Sequence, residues 1–213
     1  MRFESLLKLV GNMPCFDLQL LVQAMDEKRE TIRVQLSRFM KQGKVIPLRR
    51  GMYTLADMYR HTAIVPAALA NNLYRPSYLS GIWALKYYDL IPEAVVWLTS
   101  VSPRVSKRFD NEFGVFEYRS IRQSVFFGYR FASYGSTDIL VAEAEKALLD
   151  HWHLTPGEWT ATRLMEMRYQ NFKTIDGNRL TEYAERFASP RLKRAAKRWP
   201  AVIEDTESGA VTL

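Results

Sequence analysis

Apolar positions in the N-terminal part of the chain recur at helical spacing, then give way to strand-like alternation. A first amphipathic helix is predicted over about residues 2–10, closed by Gly11-Asn12. Asp17 is placed to cap a second helix, 18–25, whose apolar face is Leu18, Leu21, Val22 and Met25. After the polar turn Asp26-Glu27-Lys28, a third helix is predicted over 29–42, with Gly43 as its C-cap. Residues 44–48 and 51–55 read as two short strands joined by a tight turn at Arg49-Arg50-Gly51. Three helices followed by a basic hairpin predict a winged helix-turn-helix.

The clear period is lost over 57–65, which sets an expected boundary between a domain of residues 1–60 and a second domain of 61–213. Within the second, a helix is predicted over 79–88 and stopped by Ile91-Pro92. Residues 95–101, 114–121, 126–132 and 139–141 are β-branched or aromatic runs separated by turn residues, and predict a small, mostly antiparallel sheet. A helix over 142–153 follows. Thr155-Pro156-Gly157-Glu158 has the form of a capping box that would start another helix running to about 171. Two more short helices are predicted, over 178–188 and 191–199. The tail, 201–213, has no period and is expected to be mobile. The expected class is α+β: an N-terminal winged helix-turn-helix, then a mixed domain with a small antiparallel sheet and several helices.

The third helix carries the most pointed chemistry. On a helical wheel Ile32, Leu36, Phe39 and Met40 share one side, to be packed on the first two helices. Thr31, Val34, Arg38 and Lys41 fall opposite, with Gln35 beside them. A packed stripe backed by short polar and cationic side chains suits a helix lying in the DNA major groove. There arginine can fork onto guanine, glutamine can pair with adenine, and an apolar tip can meet a thymine methyl. Arg49 and Arg50 at the hairpin tip are placed to reach phosphates or an adjacent minor groove. The candidate contact set is Thr31, Arg33, Val34, Gln35, Arg38 and Lys41 on the helix, with Arg49, Arg50 and Tyr53 on the hairpin.

Charge supports that placement. The chain carries a net charge of +7 over 213 residues; residues 1–60 contribute +5, 61–160 contribute −1 and 161–213 contribute +3. The surplus at the N-terminal end points to a polyanion contact made by that module. A single cysteine, Cys15, excludes a disulfide framework and, with three histidines, a Cys₄ or Cys₂His₂ zinc site; a reducing cytoplasm is expected. No apolar run reaches the ~18 residues of a membrane span, and Glu4 and Lys8 interrupt the N-terminal stretch, making it a poor signal peptide.

Catalytic constellations are weak. Glu143, Glu145, Lys146 and Asp150 resemble a nuclease set, but a carboxylate-x-lysine pair would need an acid where Ala144 stands; Glu143 and Lys146 read as a surface pair. His151 and His153 at i,i+2 splay apart on a helix, which disfavours a shared metal. No catalytic residue, metal or cofactor is expected. Arg75-Pro76-Ser77-Tyr78 reads as a rigid entry segment with Ser77 capping the next helix. Trp83, Tyr87 and Tyr88 read as core or interface aromatics. Lys193, Arg194, Lys197 and Arg198 form a cationic face on the last helix, solvated or in contact with phosphate.

The chain resembles the AbiEi family of antitoxin-regulators. The resemblance begins with Leu36-Ser37-Arg38-Phe39 and the hairpin 48–53. It continues through residues 73–80 (Leu73-Tyr74-Arg75-Pro76-Ser77-Tyr78-Leu79-Ser80), Tyr88-Asp89-Leu90-Ile91-Pro92-Glu93, 111–119, Phe126-Phe127-Gly128-Tyr129 and Glu145-Lys146-Ala147-Leu148-Leu149-Asp150. It covers about residues 5–155; Asp89 stands where the family pattern has glycine. What the resemblance implies is a repressor that binds double-stranded operator DNA of its own toxin–antitoxin operon. Its second domain would counteract a nucleotidyltransferase-like toxin without forming a stable complex, and copies would self-associate on DNA. Two other readings stay open at this point: a nuclease targeted by its winged helix, and an RNA- or protein-interaction module.

Overall fold

The computed structural model of the protein describes residues 1–210. Its class is mixed α+β, with nine α-helices among the described residues, a small antiparallel sheet and a larger mixed one. Two hydrophobic cores divide the chain.

The first core is built by α1 (Phe3–Val10), α2 (Leu18–Ala24), α3 (Arg29–Lys41) and a three-stranded antiparallel sheet. The sheet is ordered β1-β3-β2, from β1 (Phe16–Asp17), β2 (Val45–Arg49) and β3 (Met52–Leu55). Leu6, Val10, Leu21, Ile32, Leu36, Phe39 and Leu55 meet at its centre. The expected punctuation holds locally. The Asp17 carboxylate accepts from the Leu20 N–H at 2.7 Å, satisfying one of the unpaired donors at the start of α2. Gly43 ends α3 at φ +67°, a left-handed conformation that costs glycine nothing.

The second core begins earlier than the sequence suggests. Just after the stretch where periodicity fades, the chain forms α4 (Pro66–Leu73), a helix not expected from the sequence and entered by a proline at its first turn. Its buried side is made largely of alanine and leucine, and two asparagines follow, so little amphipathic contrast marks it. β4 (Tyr78–Leu79) then precedes α5 (Gly81–Tyr87), so Tyr78 and Leu79 pair in a sheet rather than open a helix. The six-stranded sheet has the order β6-β7-β5-β4-β9-β8. Its strands are β5 (Leu98–Ser102), β6 (Lys107–Asn111), β7 (Gly114–Ser120), β8 (Tyr129–Tyr134) and β9 (Thr137–Ala142), with β4. Contacts β4–β9 and β5–β7 are parallel and the rest antiparallel. The sheet is therefore mixed. The unexpected strand is β6, whose KRFDN sequence carries two cations and an acid; it pairs antiparallel with β7, and its Phe109 ring packs edge-on against Tyr118 of that strand.

Four further helices complete this module: α6 (Ala144–Leu154), α7 (Ala161–Glu166), α8 (Gly177–Arg186) and α9 (Pro190–Ala210). The capping-box reading fails. Gly157 has φ +88°, which breaks any helix there, and Thr160 caps α7 instead, accepting from the Arg163 N–H. The helix expected over 178–188 is α8, whereas the one expected over 191–199 and the loose tail are a single helix: α9 runs on through Pro200, and residues 201–210 are helical. Residues 211–213 of the expected tail lie outside the described residues. Trp152, Trp159, Tyr169 and Trp199 interlock among these helices. Trp152 donates to the Tyr169 hydroxyl and Trp159 to the Trp152 carbonyl, each at 3.0 Å.

Helix α6 corrects another expectation. Lys146 is fully buried, as are Asp150, Tyr78 and Ser80. Lys146 pairs with Asp150 one turn on, and its ammonium also donates to the Tyr78 hydroxyl at 2.8 Å. Asp150 accepts from Ser80 at 2.7 Å and from Tyr78 at 3.1 Å. Burial holds the Lys146 pKa below the usual lysine value, with Asp150 opposing the shift. This network ties β4 to α6. Breaking one half of such a pair leaves an uncompensated buried charge. Lys146→Met is expected to cost about 3–5 kcal/mol in urea unfolding, and the double variant Lys146→Met/Asp150→Leu to recover part of that loss. A single-variant cost below about 1 kcal/mol would mean the network carries little stability.

Candidate nucleic-acid interface

The outer side of α3 is free. Thr31, Arg33, Val34, Arg38 and Lys41 are exposed and Gln35 is half-exposed, while Ile32, Leu36 and Phe39 are buried beneath them. Val34 is 51% exposed on this side of the helix. Helical geometry does not put these residues in one row. At about 100° per residue, Arg33 and Gln35 project roughly 160° apart, so they would address opposite walls of a groove.

The hairpin forms the second wall. Arg33, Arg49, Arg50 and Tyr53 line one polar cleft of about 670 Å³, joined by Arg29 and Gln19. Thr31, Val34, Gln35, Arg38 and Lys41 lie outside that cleft, along the rest of the helix. Arg29 and Gln19 were not singled out from sequence. The signal for Arg29 was its spacing, one helical turn before Arg33. The cleft is not uniformly cationic: Asp17 lies on its wall, occupied in capping α2, and Glu30 sits on the exposed side of α3.

Arg49 and Arg50 differ. Arg50 is exposed at the turn. The Arg49 guanidinium turns toward the second module, where its Nε donates to the Leu73 carbonyl at 2.6 Å and its Nη1 to the Arg50 carbonyl at 3.0 Å. Neighbouring contacts strengthen that seam. Leu48 and Met52 are buried in the second module's core, and Asn111 donates to the Leu48 carbonyl at 3.1 Å. The hairpin is thus fixed by the domain behind it.

The electrostatics separate α3 from the other basic helix. Among the described residues, Arg29, Arg33, Arg38 and Lys41 make no salt bridge. On α9, Lys193 pairs with Glu185, and Arg194 and Arg198 both pair with Glu158. Hydrogen bonds from Arg194 and Arg198 hold the exposed Glu158 carboxyl down to about 2. Of the five cations on α9, three are paired with carboxylates and Arg191 donates to the carbonyls of His153, Thr155 and Gly157, which weakens that face as a phosphate site.

A scan of protein-family models and a search of curated proteins each found no match to this chain. Among the described residues no group of three or more His, Cys, Asp or Glu could hold a metal ion, and no helix is long and apolar enough to cross a membrane. Residues weighed for catalysis are dispersed into structural roles. Lys146 and Asp150 are sealed in the core, and the Glu145 carboxylate accepts from the Asp176 N–H at 2.7 Å. Ser77 does not cap a helix. Its hydroxyl is buried and has no partner among the described residues.

Because a charged donor at a partly buried carbonyl is worth more than a solvated one, the two hairpin arginines should part in stability. Arg49→Ala is expected to lower unfolding free energy by about 1.5–3 kcal/mol, and Arg50→Ala to change it by less than about 0.5 kcal/mol. Equal effects in urea titrations would contradict the seam described for Arg49.

Proposed function

We propose that residues 1–60 are a winged helix-turn-helix that binds double-stranded DNA, with α3 in the major groove and the Arg50 turn on the adjacent backbone. The observation that carries this reading is the unpaired cationic side of α3, bordered by a second arginine-lined wall, in a chain whose other basic helix has three of its cations engaged in internal ion pairs. Arg38, with Thr31 and Gln35, is assigned to base edges. Arg33, Lys41 and Arg50 are assigned to phosphates, and Tyr53 to the sugar–phosphate wall of the cleft. Arg49 acts by holding the hairpin in place.

From the resemblance to the AbiEi family follows the biological half of the proposal. The chain acts in the cytoplasm as a transcriptional repressor of its own toxin–antitoxin operon, without enzymatic activity, and copies assemble on the operator. The second module counteracts a nucleotidyltransferase-like toxin without a stable complex. That half rests on the sequence motifs spread over about residues 5–155.

Selection from a random duplex pool, followed by titration of the preferred and a scrambled duplex, tests the DNA half. Arg38→Ala should weaken the preferred duplex by about 1–3 kcal/mol and the scrambled one far less. Arg50→Ala should weaken both alike and reduce the slope of log K against log salt by about 1. If no duplex is enriched, or if single-stranded RNA of the same length binds more tightly, the DNA reading fails.

A further inference from the structure

The two edges of the six-stranded sheet differ in kind. At one edge β6 carries Lys107, Arg108 and Asp110, charges that oppose pairing with another strand. The hairpin of the first module also abuts that edge, where Asn111 donates to the Leu48 carbonyl. At the other edge β8, with sequence YRFASY, has neither lysine nor proline, and its register with β9 runs from Tyr129 to Tyr134 without a bulge. Of its six residues only Ala132 is buried. Its one charge, Arg130, lies beside the Tyr88 hydroxyl. A regular, exposed edge of this kind is a template for a further strand.

The turn fixes which backbone groups are free. Tyr134 and Thr137 pair across the two-residue turn Gly135-Ser136, and in so tight a turn the closing pair exchanges both of its hydrogen bonds. Bonding then alternates along the strand, so Ala132 and Arg130 also bond to β9. The N–H and C=O groups of Tyr129, Phe131 and Ser133 point outward, and among the described residues no backbone group pairs with them. Side chains alternate too. Tyr129, Phe131 and Ser133 share one face, and the two aromatics border a recess of about 430 Å³ between β8, β9 and α4. Phe131 is 74% exposed. On the opposite face Tyr134, also exposed, packs against Trp83 and Tyr87. Aromatic surface therefore flanks the free edge on both faces.

Register limits what can cover this edge. An added strand must set its own outward groups opposite those of residues 129, 131 and 133. A second β8, running antiparallel about a two-fold axis, does so, and the register centred on Phe131 uses all three residues of each copy. There Phe131 faces its own mate, Tyr129 faces Ser133, and Arg130 faces Ala132, so like charges do not meet directly. Centring on Arg130 instead would set two cations against each other, and centring on Ala132 would carry Tyr129 past the end of the mate's strand. We propose that the protein forms a two-fold dimer in solution through antiparallel pairing of β8 centred on Phe131, which joins two six-stranded sheets into one. The dimer forms without DNA and does not depend on the DNA reading.

Sedimentation equilibrium of the full chain, free of DNA, tests it. The parent should approach twice the chain mass, with Kd below about 0.1 mM. Because residue 131 meets itself across the axis, Phe131→Lys and Phe131→Glu should each weaken the dimer at least about tenfold through like-charge repulsion. An equimolar mixture of the two variants should restore it as a heterodimer. The side chain is exposed, so both variants should keep the parent's circular dichroism spectrum. A parent that stays monomeric up to about 0.5 mM, a dimer that either single variant preserves, or a mixture that stays monomeric would each overturn the pairing.

Discussion

One hairpin serves two cores, and the rest of the molecule is arranged around that fact. Val45 and Leu55 are buried with α1, α2 and α3, while Leu48 and Met52, on the same two strands, are buried in the second module. Each fully buried apolar side chain of this size is worth about 1.5–3 kcal/mol. The hydrogen bonds of Arg49 and Asn111 lie over the same seam. The hairpin turn therefore cannot swing freely, and α3 and Arg50 are presented at a fixed relative position. Such rigidity lowers the ordering cost of any binding at that surface. It also means that residues 1–60 alone would expose Leu48 and Met52 to water.

Legibility from sequence followed the strength of local physics. The first module is written in strong signals: an aspartate cap, a glycine at a left-handed position, and a clean apolar stripe on α3. Its three helices and two hairpin strands fall within a residue or two of expectation, while the two-residue strand β1, which exists through its pairing with β3, was not foreseen. In the second module the strongest errors came from long-range effects. β6 has no strand-like composition and exists because β7 offers it a partner. Lys146 and Asp150 look solvated in any local window, yet Tyr78 and Ser80, distant in sequence, satisfy them in the core. The Thr155 capping motif was overruled by Gly157, and Pro200 sits inside α9 where a proline usually ends a helix. Of the candidate site, exposure on α3 was legible. That Arg49 would turn inward was not, because nothing local distinguishes it from Arg50.

The second module has an anchored interior and an open edge. The buried Lys146–Asp150 network and the interlocked tryptophans fix α6 to β4 and to the C-terminal helices. Against that rigid background, Phe131 is exposed on the edge strand β8, and the buried Ser77 hydroxyl has no partner among the described residues. Arg75, which borders the recess beside β8, also lines the cleft with Cys15, Asp17 and Arg49 between the two modules.

The central claim is that the outer side of α3, with the Arg50 turn, is the surface that meets duplex DNA. Amide chemical-shift mapping of the full chain during titration with a selected duplex addresses it most directly. The account predicts that shifts concentrate in residues 29–41 and 49–53, with α9 unaffected. Shifts confined to residues 190–199, or an unperturbed α3 while the duplex binds, would contradict it.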